Sequence, residues 1–400
     1  FFQDHPMYGN GFNGKVKATF TSAQMEITAS ARFGSTSYNA AAPYRYWYVD
    51  GKVILPPPGI TFLPGYAFYG FGVAAWQRMN VSPIPKPDAA QVANATSSTA
   101  ATASGATFTP SSGVGFGFGI TAVLGTSPDS KKFNADVPLG GQFTPSGGLI
   151  NIRITGELWA MAKIMDRAIA PVKGIVDLEY NHPNRIFHMQ AQVFINKDPI
   201  TTPAGVNMVI HLEGKTGIWY VKIGEPTNRN IIKVNNINTE SYFMFGKNLT
   251  APTGFSTTTV NGLNSVGIYG VTPSAAATNN AIAGNGFAAG VGVNFDTGQK
   301  NRHLFGRVYL RSRATGGFEI NLSLMKYPDN AVCAGGGALE GLNKWYAQGN
   351  VAAYVTFNVS IFVEMKDGTI RNPCAFCCKN NHPNGCPFTL ADIRIGGYLE

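Results

Sequence analysis

Gly113–Gly125 reads GVGFGFGITAVLG, and its spacing decides the fold class. Side chains alternate between faces along a strand, with a period of two. Phe116, Phe118 and Ile120 therefore share one face, while Gly115, Gly117 and Gly119 leave the opposite face bare. A bare face admits another backbone or side chain closely. Two further stretches repeat the pattern, YAFYGFGVAAW (Tyr66–Trp76) and GFAAGVGVNF (Gly286–Phe295). Tightly packed β structure is predicted around all three.

The flanking sequence extends this reading. KVKATF (Lys15–Phe20), QMEITASARF (Gln24–Phe33) and YRYWYVDGKVIL (Tyr44–Leu55) alternate and are separated by Ser, Gly, Asn and Pro. So do LINIRITG (Leu149–Gly156), GIVDLEY (Gly174–Tyr180), RIFHMQAQVFI (Arg185–Ile195), VNMVIHLEG (Val206–Gly214) and GIWYVKIG (Gly217–Gly224). Short polar connections of the kind NHPN and EGKTG imply antiparallel strands in sequence order. The expected fold is all-β: antiparallel meander sheets forming a sandwich, an open barrel or an elongated β structure. One short helix is predicted near 157–170, where Leu158, Met161, Met165 and Ile169 recur at helical spacing before Pro171. The expected organisation is a β segment at 1–80, a low-complexity Ala/Ser/Thr loop at 81–113 and a central β region at 114–270. A second small-residue loop at 271–286, a β segment at 287–368 and a Cys-rich tail at 369–400 follow.

Composition narrows the function classes. Of 400 residues, 44% are hydrophobic, which allows a large core and excludes global disorder. Only 13% are charged, about half the usual share. The net charge of +9 comes from scattered residues, so no basic stripe points to nucleic acid. No run of 18 apolar residues predicts a transmembrane helix. Strand-crossing proteins signal themselves by alternation instead; here the apolar-out, polar-in alternation reads as patchy, which weighs against an outer-membrane barrel. The chain starts with Phe rather than Met, so a processed chain or part of a longer one is expected.

Candidate chemistry is sparse. Cys374, Cys377, Cys378 and Cys386 cluster in NPCAFCCKNNHPNGC, and Cys333 precedes them. Disulfides are the expected outcome for these five in an oxidising compartment. The weaker alternative is zinc held by Cys374, Cys377, His382 and Cys386, although adjacent Cys377 and Cys378 crowd a tetrahedron. GNGFAAG at Gly284–Gly290 lacks the strand and helix of a dinucleotide loop. His211 and Glu213 share one strand face, while His5, His182, His188 and His303 show no ligand spacing. No nucleophile, zinc-protease, phosphate-loop or calcium-loop motif occurs, so no catalytic residue and no cofactor are assigned. Aromatic residues at Tyr46, Tyr48, Trp219, Trp345 and Tyr346 are the expected interface or ligand-stacking positions.

LPGYAFYGFGVAAWQRM, GFGFGITAVLGTSPDSKKFNADVPLGGQFTPSGGL, IHLEGKTGIWYVKIGEPTNR and MKYPDNAVCAGGGALEGLNKWYAQGNVAAY together resemble one group. These are the very large, repetitive, β-rich surface or secreted proteins of Bacteroidetes, some described as TANFOR-domain proteins. The likeness runs over about residues 10–365. It implies a secreted or cell-surface location and no defined activity. The expectation is a non-catalytic structural module of a cell-surface or extracellular assembly. It would self-associate or contact neighbouring domains of a larger surface protein. The alternative is an adhesin that binds glycans or another surface, and a hydrolase on a β scaffold ranks below both.

Overall fold

The computed structural model describes residues 1–23, 25–82, 107–250, 254–274, 283–305, 308–327, 345–364, 370–371 and 388–399. Strands account for 69% and helices for 6%, so the chain is all-β. It divides into two compact units, one formed by Phe1–Lys197 with Thr202–Val221, the other by Asp198–Thr201 with Lys222–Glu400.

Unit one contains β1 (Phe2–His5), β2 (Gly9–Phe20), β3 (Met25–Thr36), β4 (Tyr44–Ile54), β5 (Ile60–Leu63), β6 (Tyr66–Gln77), β7 (Met79–Ser82), β8 (Thr107–Pro110) and β9 (Phe116–Thr126). It continues with β10 (Phe133–Phe143), β11 (Leu149–Ala160), β12 (Val172–Asn181), β13 (Ile186–Lys197), β15 (Val206–Glu213) and most of β16 (Ile218–Ile223). Strand β2 pairs with β3, β3 with β4, β4 with β6, β6 with β9, and so on through β10, β11, β12, β13 and β15, always antiparallel. This is the expected meander. The short β7 and β8 pair only with each other, and they bracket the low-complexity segment.

Unit two holds β14 (Ile200–Thr201), β17 (Asn230–Val234), β18 (Ile237–Thr250), β19 (Ala283–Asp296), β20 (Lys300–Phe305), β21 (Val308–Lys326), β22 (Trp345–Glu364), β23 (Ile370–Arg371) and β24 (Phe388–Leu399). Its long strands again pair antiparallel, β17–β18–β19–β21–β22–β24. Among the described residues one α-helix, α1 (Thr257–Ser265), lies against β19, β21 and β22.

The helical reading near 157–170 narrows. Glu157–Ala160 belong to β11, because Leu158 and Trp159 pair with Gly174 and Lys173 of β12. What remains is a 3-10 segment, Ile164–Ile169, irregular at Asp166. A sheet partner on each side of β11 outweighs the local helical spacing. The glycines of the opening motif also find their role. Trp76 faces Gly117 directly across the β6–β9 ladder, and a Cβ at Gly117 would fall inside the indole ring. Tyr46 opposite Gly34, Tyr242 opposite Gly290 and Tyr354 opposite Gly317 repeat the arrangement. At these four positions the bare glycine is covered by an aromatic ring from the neighbouring strand, whereas Gly70 and Gly72 of β6 meet Val123 and Thr121.

Candidate functional site

The two faces of the unit-one sheet differ in chemistry: one is apolar and in large part exposed, the other combines ion pairs with buried aromatic clusters. On one face, Phe12, Val16 and Phe20 of β2 sit beside Phe33, Ala29 and Met25 of β3. The same face continues with Trp47, Val49 and Val53, then Phe71 and Val73, then Phe116, Phe118 and Ile120. Many of these side chains are exposed: Val16 is 68%, Val73 66% and Ile120 53% accessible. From β2 to β15 this face carries no Asp or Glu, and its two cations, Arg45 and Lys197, stand at strand ends. One level of it is aromatic: Phe12, Phe33, Trp47, Phe116 and Phe143 occupy successive registered positions, interrupted by Gln77.

The opposite face is polar and largely covered. Asp136 is gripped by Lys52 and by Arg167, whose guanidinium lies 2.7 Å away. Arg167 also donates to Asn134 at 2.7 Å and stacks on Trp159 at 3.9 Å. The 3-10 segment therefore exists to bring a cation back onto the sheet. Farther along, Arg153 makes a bidentate contact with Asp177 at 2.8 and 2.6 Å, while Asn151 donates to Glu179 at 2.8 Å. At one end the β7–β8 pair covers this face. Tyr44, Tyr46, Tyr48, Trp76, Met79, Phe108 and Val114 form a buried cluster there. Tyr48 stacks on Phe108 at 4.5 Å. Between this cluster and Arg153 lies a cavity of about 60 Å³, room for about two waters.

Burial alone would raise the Asp136 pKa, but the Lys52 and Arg167 charges outweigh it and hold the carboxyl below the usual carboxylate range. A group depressed on folding stabilises the protein above its unfolded pKa, about 3.9, and that contribution is lost as pH falls through the folded value. Urea midpoints measured between pH 7 and pH 2 should therefore fall steeply below about pH 4. Asp136→Asn should flatten that acid slope while lowering the midpoint at pH 7.

Unit two is built on the same plan. Phe243, Phe245, Phe287, Val291, Val293, Phe295, Phe318 and Leu322 form an exposed apolar face. Its other face buries Glu240, Asn294, Glu319, Asn321 and Thr356. Helix α1 folds onto this polar face. Ser256 caps it by accepting from the Thr259 N–H at 3.2 Å, and Val260 and Leu263 pack on Ala352 and Phe255. Both Glu319 carboxylate oxygens accept from the Ser256 N–H at about 3 Å, and Arg229 closes a 2.7 Å ion pair to the same carboxylate.

Several expected site residues find other roles. Tyr46 and Tyr48 are buried, at 1% and 4% exposure, so neither presents a surface for stacking on a ligand. The Tyr46 hydroxyl donates to the Tyr8 carbonyl at 2.7 Å, and burial pushes its pKa up to about 12 despite Arg32 nearby. Trp219 is half-buried in β16, Trp345 is 40% exposed at the start of β22, and Tyr346 packs on Tyr327 at 5.6 Å. The disulfide candidates Cys333, Cys374, Cys377, Cys378 and Cys386, and the zinc alternative with His382, lie outside the described residues. One association went unread in the sequence: His188 and His211 face each other across β13 and β15. Their separation of 23 residues carries no ligand spacing. Among the described residues, no helix is long and apolar enough to cross a membrane, a test that does not address strands. Comparison with protein-family models, with curated proteins and with solved structures finds no match to this chain.

Proposed function

We propose that the chain is a membrane-embedded protein of the outer-membrane type, crossing the bilayer with its strands. It is a non-catalytic, cell-surface component, and its polar face is occupied by its own inward-folded segments. The carrying observation is the sorting of the two faces. Hydrocarbon favours exposed Val, Ile and Phe, and buried ion pairs suit the side away from lipid. In water, soluble monomers rarely leave contiguous apolar faces exposed, and such a face marks contact with another apolar surface. Strand length agrees: β2 to β13 include nine strands of 10–12 residues, against the roughly 9–11 that span a bilayer when tilted. The aromatic level through Phe33, Trp47 and Phe116 suits a membrane–water interface.

A bilayer tolerates strands only in sheets whose edges are all paired, so the reading requires such closure within the hydrocarbon. The β7–β8 pair lies over the polar face of unit one, and α1 lies over that of unit two. The surface location expected from the resemblance to large Bacteroidetes surface proteins fits this reading, and lipid takes the place assigned to self-association. A glycan-binding adhesin loses support from the burial of Tyr46 and Tyr48.

The test is the solvent in which the chain folds. Purified chain should acquire β circular dichroism and protease resistance on dilution into detergent micelles or phosphatidylcholine vesicles, and should precipitate without them. A monodisperse, folded particle in detergent-free buffer would sink the proposal. An ordered filament in that buffer would favour self-assembly through the same apolar face.

A further inference from the structure

A row of titratable side chains crosses the polar face of unit one. The β-ladder registers place Arg153 opposite Glu179, Glu179 opposite His188, and His188 opposite His211. Tyr220 ends the row, its ring stacked on His211 at 5.0 Å and 20°. The polar face is otherwise organised by cation–carboxylate pairs. At His188 and His211 two imidazoles meet instead, with Nδ1 3.2 Å from Nδ1.

We infer that His188 and His211 form a binding site for a borderline divalent metal ion of the zinc, nickel or copper class. Imidazole is the ligand these ions share. Two nitrogens bound to one tetrahedral ion at 2.0–2.1 Å stand roughly 3.3–3.4 Å apart, close to the 3.2 Å already present. The ion needs rotation of the rings about their χ2 bonds and no movement of either strand, since antiparallel pairing fixes the two Cα atoms. In the metal-free pair one Nδ1–H donates to the other Nδ1. On binding, that proton moves to Nε2 of its own ring, both Nδ1 lone pairs turn to the ion, and four of the six waters of a hydrated zinc ion leave, so that two nitrogens and two waters complete the tetrahedron. Among the described residues, no cluster of three His, Cys, Asp or Glu is placed to enclose an ion, so water completes the shell. Both rings are half-buried, which leaves that room. Glu179 beside His188 supplies a nearby negative charge, and Arg153 turns its guanidinium chiefly to Asp177. Two imidazoles with water hold an ion reversibly rather than lock it as a structural centre. The site therefore suits capture and release of metal at a rim of the sheet.

The experiment uses the full chain in detergent with its cysteines alkylated, because five thiols would otherwise compete for the metal. Zinc titration by calorimetry should show one saturable site of micromolar affinity. His188→Gln and His211→Gln should each weaken it at least tenfold, at unchanged circular dichroism. Zinc should also protect two of the six histidines, His188 and His211, from carbethoxylation read by mass spectrometry in the unmutated chain. This second measurement does not depend on variants that fold. Equal labelling of both residues with and without zinc, or titrations unchanged in both variants, would overturn the assignment. It rests on the unit-one ladder alone, so it stands or falls separately from the membrane reading.

Discussion

Replacing Glu319 by alanine is expected to lower the stability of unit two by about 3–5 kcal/mol, the usual result of stripping one partner from a buried ion pair. Glu319 is fully buried, and the Arg229 side chain is 4% exposed. Removing the carboxylate leaves the Arg229 guanidinium in a dry site. Its remaining contacts there are the Pro226 carbonyl at 3.2 Å, the Asn321 side chain at 3.3 Å and the Tyr242 ring at 5.1 Å. One guanidinium nitrogen already lacks a partner. The same change removes the acceptor for the Ser256 N–H and for Asn321 Nδ2 at 2.7 Å. Helix α1 should therefore loosen first, seen as faster amide exchange across Thr257–Ser265. The double replacement Arg229→Met with Glu319→Leu should recover the part of the loss due to the stranded guanidinium, because well-packed apolar pairs often match a buried ion pair, while the Ser256 N–H and Asn321 Nδ2 stay without the Glu319 acceptor. Chemical-denaturation midpoints of the parent, Arg229→Met, Glu319→Leu and the double variant form the cycle that decides it. A Glu319→Ala variant within about 0.5 kcal/mol of the parent, the range of ordinary surface changes, would contradict the role given to this pair.

Much of the fold was legible because period two is a local signal. The clean alternation of Leu149–Gly156, Gly174–Tyr180 and Arg185–Ile195 became β11, β12 and β13, and the bare glycine faces marked real close approaches. Alternation sorts residues into two faces without saying which face meets solvent. Pairing brings like residues of neighbouring strands side by side, which no single strand shows. Lys15 and Lys17 fall with Ser30 and Thr28 on one side, and Val16 and Ala18 with Ala29 and Ile27 on the other. Register across the turns supplies that information, and no single strand contains it. Helix α1 was illegible for another reason. Its sequence, TTTVNGLNS, is a poor helix former, and it is held by the Ser256 cap, Glu319 and packing on Tyr354 and Ala352. The His188–His211 pair likewise depends on how the 198–205 connection sets the β13–β15 register.

The second large effect concerns the apolar face. Val73 and Ile120 are registered partners on β6 and β9, midway between the strand ends. Both are more than half exposed. If this face meets hydrocarbon, arginine at either position sits near the bilayer midplane and should cost about 2–4 kcal/mol in vesicles. If it meets water, the same change belongs with exposed surface substitutions and stays within about 0.5 kcal/mol. The gap between these ranges exceeds the error of a denaturant titration. Two controls locate the effect. Lys15→Arg on the polar face of β2 should be neutral, and Phe116→Arg, at the aromatic level near the strand end, should cost about 0–1 kcal/mol as expected near an interface. Val73→Arg combined with Ile120→Arg should not be additive, since the two guanidinium groups would share one water defect and repel each other across the ladder. A depth-dependent penalty, largest at Val73 and Ile120 and falling toward Phe116, is what lipid imposes and water does not. Equal small effects at all three positions would return the apolar face to the role of a contact between copies of this chain.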